Sequence, residues 1–96
     1  MERSEQVSIC GIPHKVRFVD DTFCSNSCHF GQIDYKKCEI CISNGMSKEM
    51  EEQTLVHEIL HGIFFNLGYN DLTGDEKLVQ SLASAIYQSF TVKRNI

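Results

Sequence analysis

The chain has 96 residues, 42% of them hydrophobic and 23% charged, with a formal net charge of -4. That length implies one domain, 1–96, with a modest core that a bound metal would help to stabilise. The nine Lys and Arg are scattered, which argues against direct nucleic-acid binding and against a polybasic membrane patch.

Residues 1–10, MERSEQVSIC, do not have the apolar core of a signal peptide, and no later stretch has the length of a membrane span. The expectation is a cytoplasmic protein. Residues 7–9 and 15–19 are β-prone, with alternating apolar positions. Gly11, Ile12, Pro13 and His14 read as the turn of a hairpin between them, which places His14 at the surface. Residues 20–30 are polar and turn-rich, and read as a loop. A second hairpin follows, with Ile33 and Tyr35 alternating, Lys36-Lys37 in the turn, and Ile40 and Ile42 alternating again.

After Asn44-Gly45 the period changes from two to 3.6. Ser47 suits a helix N-cap, and Glu49, Glu51 and Glu52 suit the positive end of the helix dipole. Leu55, Val56, Ile59, Leu60, Ile63, Phe64 and Leu67 form its apolar set, and Gly68 a stop. A second helix begins near Thr73 to Asp75. Leu78, Leu82, Ile86 and Phe90 line one stripe of it, with Val79, Ala83 and Tyr87 beside them, and 91–96 reads as a frayed tail. The pattern predicts an α+β fold, with a small N-terminal antiparallel sheet of two hairpins packed on two C-terminal helices.

Inside the first helix stands His57-Glu58-Ile59-Leu60-His61. Buried imidazoles and a buried carboxylate are costly without partners. Histidines four apart share a helix face, about 5.4 Å apart along the axis, so both rings reach one ion at roughly 2.0–2.1 Å. Glu58 stands beside that face, where it can accept a proton from water whose pKa zinc brings down to about 7. With the His and Glu counts of this chain, about 0.013 such matches are expected by chance. The HExxH pattern therefore predicts a metal site, with His57 and His61 as ligands and Glu58 as general base.

A catalytic zinc takes a third protein ligand and keeps one position open. Glu76, at the start of the second helix, is the candidate, because an antiparallel return lays it over the first helix. Thr73-Gly-Asp-Glu76 also fits a capping box, in which Glu76 only bonds the backbone. Asp75 is the fallback ligand, or a partner for one of the histidines.

The stretch FGQIDYKKCEICISNGMSKEMEEQTLVHEILHGIFFNLG, followed by DEKLVQSLASAIY, resembles the ImmA/IrrE-type metallopeptidases. Its nearest likeness is to the short HExxH proteins that phages and mobile elements encode. The likeness covers roughly residues 31–90, and Val79-Gln80 stands where that family usually has Ala-Asn. It implies a minimal zincin-like fold with one Zn2+ per chain, His57, His61 and Glu76 as its ligands, and Glu58 as base. It also implies a protein or peptide substrate, a transcriptional repressor among the candidates, met in the host cytoplasm if a phage encodes the chain.

The five cysteines, an odd number, suit reduced thiols rather than a disulfide framework. Cys24, Cys28, Cys38 and Cys41 have the look of a second, structural zinc site. However, an extended strand would turn Cys38 and Cys41 to opposite faces. Cys10 and Cys38 read instead as small buried apolar residues. Cys24, Cys28 and His29 share a loop from which a thiolate or imidazole would reach the open zinc position and silence it. Tyr35, Tyr69, Tyr87 and His29 all have the chemistry to stabilise an oxyanion.

Three functions follow from these readings. The first is a zinc metallopeptidase with metal-activated water. The second is a zinc-stabilised binding protein, not an enzyme, that sequesters a host or phage protein. The third, well behind, is an iron oxygenase built on two histidines and one carboxylate. Glu58 favours the first, since a purely structural site has no use for it.

Overall fold

In the computed structural model, which describes residues 3–20 and 30–90, the chain folds in the order ββββααα. The strands are β1 (Arg3–Ile9), β2 (Ile12–Val19), β3 (Gly31–Asp34) and β4 (Glu39–Ser43). The helices are α1 (Lys48–Asn66), a single turn α2 (Asn70–Thr73) and α3 (Glu76–Ser89). The α+β fold expected from the sequence is the one observed. The loop expected in the 20–30 stretch and the frayed tail fall mostly or wholly on residues 21–29 and 91–96, outside the described residues.

Both hairpins form, β1 with β2 and β3 with β4. They join through a parallel pairing of β2 with β4, so the sheet is mixed, with order β1-β2-β4-β3. The reason lies in the side chains. β4 carries Ile40 and Ile42, both wholly buried, and a central place covers them from both sides. Short β3, with Gly31 in it, takes the edge.

The first hairpin turns more tightly than expected. Ile9 pairs with Ile12, which leaves Cys10-Gly11 as a two-residue loop, with φ of 53° and 81°. Positive φ at both positions is the type I′ pattern, whose twist suits a hairpin. Cys10 is thus exposed, not a buried apolar residue. The same register draws Pro13 and His14 into β2. His14 then lies opposite Val7 on the inner face and is 1% exposed rather than at the surface. Its Nδ1 donates to the Ile12 carbonyl at 2.8 Å, which satisfies a ring nitrogen locally. Cys38 lies in the second turn, half-buried, with its thiol 3.8 Å from the Tyr35 carbonyl.

One face of the sheet (Val7, Ile9, Val16, Phe18, Ile40, Ile42) packs on α1 through Leu55, Ile59 and Ile63. The other side of α1, with Val56, Leu60 and Phe64, packs on Val79, Leu82, Ala83 and Ile86 of α3. α1 is therefore a middle layer, apolar on two sides. Gly62 lets it approach the sheet, since a Cβ there would lie 2.9 Å from the Ile9 Cδ1 and 3.1 Å from the Ile33 Cδ1. Gly31 does the same from the strand, where a Cβ would meet Thr54 Cγ2 at 2.8 Å and the Cys41 carbonyl at 3.1 Å.

The helix ends follow local chemistry. Ser47 Oγ accepts from Met50 N at 3.2 Å and starts α1, which ends at Leu67 just before Gly68. Asp75 Oδ1 accepts from Leu78 N at 3.1 Å and starts α3. The capping box from Thr73 to Glu76 does not form, and Glu76 is the first helical residue with its side chain free to face α1. No helix among the described residues is long and apolar enough to cross a membrane.

Candidate metal centre

Between its two packed sides, α1 presents a third face with Met50, Gln53, Thr54, His57, Glu58 and His61. It forms one wall of a cavity of about 680 Å³. Edge strand β3 forms another wall, and the start of α3 a third. The helix period alone places His57 and His61 together on that face, one turn apart. The antiparallel return through α2 then brings Glu76 across from them.

The three side chains meet. His57 Nε2 and His61 Nε2 lie 3.2 Å apart. Glu76 Oε1 is 3.0 Å from His57 Nε2, and its Oε2 is 3.2 Å from His61 Nε2. Among the described residues this is the group whose donor atoms gather within metal-binding reach.

Each imidazole is anchored through its other nitrogen. His57 Nδ1 lies 2.8 Å from Gln80 Oε1, an oxygen that only accepts, so the ring proton is on Nδ1. Thr73 Oγ1 donates its one hydrogen to the His61 carbonyl at 3.1 Å. It can therefore only accept from its other two neighbours, the His61 Nδ1 at 3.0 Å and the Tyr35 hydroxyl at 3.1 Å. The His61 proton is thus also on Nδ1. Both Nε2 atoms then face the Glu76 oxygens, and either a second ring proton shared with Glu76 or a metal ion lying among them satisfies all of these atoms. A tetrahedral ion with bonds of roughly 2.0–2.1 Å holds its ligand atoms about 3.4 Å apart, close to the spacing seen. The residues present fit a small divalent cation.

Glu58 stands outside this ring of bonds but lines the same cavity, at 7% exposure. Burial raises its pKa from 4.5 to about 8, and the nearby Glu76 carboxylate adds to the rise. Burial lowers the His61 pKa, while the charge of Glu76 pulls it the other way. Both shifts have burial as their first cause, and both carry the charge of Glu76 as a second.

Asp75, the fallback ligand, is engaged as the α3 cap. Of the oxyanion candidates, Tyr35 lines the cavity, stacks on Phe65 at 4.2 Å between ring centroids, and gives its proton to Thr73. Tyr69 is exposed, and Tyr87 donates to Glu52 Oε1 at 3.4 Å. His29, Cys24 and Cys28 lie outside the described residues, so the silencing loop and half of the second zinc site do too. Cys38 and Cys41 join no ligand group among the described residues.

Sequence reasoning missed Gln80 and Thr73. Gln80 was legible in principle. Glu76 and Gln80 are four apart on α3, as His57 and His61 are on α1, so two such pairs face each other. Thr73 offered no signal, because its role depends on the single turn α2. Comparison with models of protein families, with curated proteins and with solved structures gave no match to this chain.

Proposed function

We propose that this chain is a zinc-dependent peptidase of the ImmA/IrrE type, with His57, His61 and Glu76 as ligands and Glu58 as general base. The observation that carries the reading is that Glu58 and the three convergent ligand side chains line one cavity. Bound zinc would polarise a peptide carbonyl and make water acidic enough to attack it. The residues of the chain do the rest. Gln80 and Thr73 hold the two imidazoles with Nε2 turned inward. Glu58 takes the proton of the attacking water and passes it to the leaving amine. Burial and Glu76 raise the Glu58 pKa in the metal-free cavity, and a bound dication would oppose that rise and keep the carboxylate ionised to accept the proton.

β3 offers a place for substrate backbone. The Phe30 carbonyl accepts from Ser43 N at 2.8 Å, which sets Phe30 and Gln32 as the residues bonded to β4. Gly31 and Ile33 then turn their backbone groups outward, and both line the cavity. An extended peptide can pair there as an added strand.

The ligands come from two helices, which also favours a second reading, a binding protein whose zinc clips α3 to α1. Elemental analysis of protein purified without added metal or chelator comes first, with about one zinc per chain expected, lost in His57→Ala. Glu58→Gln then separates the readings. Retained zinc with lost peptide cleavage means an enzyme, and retained function means a binding protein.

A further inference from the structure

The cavity has two unlike ends. Toward Thr73 it is polar and bonded. Toward the start of α1 it is walled by Phe30 from the strand side, 55% exposed, and Met50 from the helix side, 40% exposed. Gly31, Gln53 and Thr54 complete that end, and none of the five carries a charge. Among the described residues, the ionisable groups that line the cavity are Tyr35, His57, Glu58, His61 and Glu76, gathered around the candidate ligands rather than at this end. Two large apolar side chains stand open on two walls of one cavity, where an apolar group entering between them would cover both.

We propose that this end is a specificity subsite for a large apolar side chain of an extended protein segment, about three residues from the bond that is cut. The proposal rests on the peptidase reading. Its register comes from the helix. Met50 precedes His57 by seven residues, about 10.5 Å along the axis. An extended segment advances roughly 3.3 Å per residue, so about three residues span that distance. The outward backbone groups of Gly31 and Ile33 hold such a segment in line. Met50 has the flexible, polarisable side chain that adapts to different apolar guests. Gly31 keeps β3 close to Thr54, which keeps the subsite narrow. Among the described residues, those lining this end offer no opposite charge to a charged side chain entering here.

The test uses hydroxamates, which bind zinc directly, titrated calorimetrically into the zinc-loaded full chain. Acetohydroxamate reads the metal alone. Two series of short peptide hydroxamates, extending from either side of the zinc-binding group, carry Leu or Asp at the second and third residue. In one series the Leu probe is expected to bind about tenfold or more tightly than its Asp counterpart. Phe30→Ser with Met50→Ser should erase that preference and leave acetohydroxamate binding unchanged. Phe30→Leu with Met50→Leu should keep it, which separates lost apolar surface from lost folding. Equal binding of Leu and Asp probes in both series, or a preference that survives the Ser pair, overturns the subsite and leaves the metal reading standing. A zinc-loaded chain that does not bind acetohydroxamate removes the peptidase reading, and the subsite with it.

Discussion

Glu58 allows a sharp thermodynamic test that needs no substrate. In chelator-treated protein its folded pKa of about 8 stands above the ordinary 4.5. Below pH 4.5 the group is protonated in folded and unfolded chains alike, and it adds no pH dependence. Between 4.5 and 8 the unfolded chain releases a proton that the folded chain keeps, so stability falls as pH rises. His61 complicates the acid half of that window. Its pKa is lowered from 6.5, so it penalises the fold as pH drops below 6.5 and contributes nothing further above. From pH 6.5 to 8, then, Glu58 acts without His61. One proton over that interval, with half-ionisation at the upper end, amounts to about 1.6 kcal/mol. Urea denaturation at four pH values, with chelator, should show wild-type stability declining by about that much relative to Glu58→Gln. Zinc-saturated protein should lose the decline, because a nearby dication favours the ionised carboxylate. Parallel pH curves for wild type and Glu58→Gln would refute the reasoning, since they would mean that Glu58 is already ionised inside the fold at neutral pH.

Thr73→Val removes the acceptor of the His61 Nδ1 proton, and zinc affinity measured by chelator competition should drop about 10–100-fold, while Thr73→Ser retains it. Gly31→Ala forces a Cβ against Thr54 and the Cys41 carbonyl, and should lower the free energy of unfolding by about 1–3 kcal/mol in urea titrations. Cys10→Asn places the preferred residue at the first position of a type I′ turn, and should raise it by about 1 kcal/mol without altering zinc binding.

The contrast between His57 and His14 shows what a sequence reveals. His57 and His61 were legible because four residues of helix fix their relation whatever the rest of the chain does. Glu76 was legible by one further step, the antiparallel return of α3. His14 depended on whether the first hairpin turns at Cys10-Gly11 or two residues later, because the earlier turn makes His14 part of β2, on the same face as Val16 and Phe18. Pro13 suggested the later turn; the positive φ that Gly11 allows decided for the earlier one. The pairing of β2 with β4 was out of reach for another reason. It joins segments about 24 residues apart with no local signal, and is chosen by where Ile40 and Ile42 find cover. Thr73 and Gln80 act across such long-range packing, so their chemistry appears only once α3 is in place.

The layering of the helices bears on how the site would come apart. Two of the three candidate ligand side chains ride on α1, clamped between the sheet and α3. The third begins α3, an outer layer, and Glu76 itself is 69% exposed at its side chain. Regions with fewer buried contacts open locally before the whole fold does. A partial opening of the first turn of α3 would therefore take one carboxylate away and leave the two imidazoles where they were. Metal exchange would follow the protection of the α3 amides against hydrogen exchange rather than global unfolding, and ion release would track the dynamics of a single helix end.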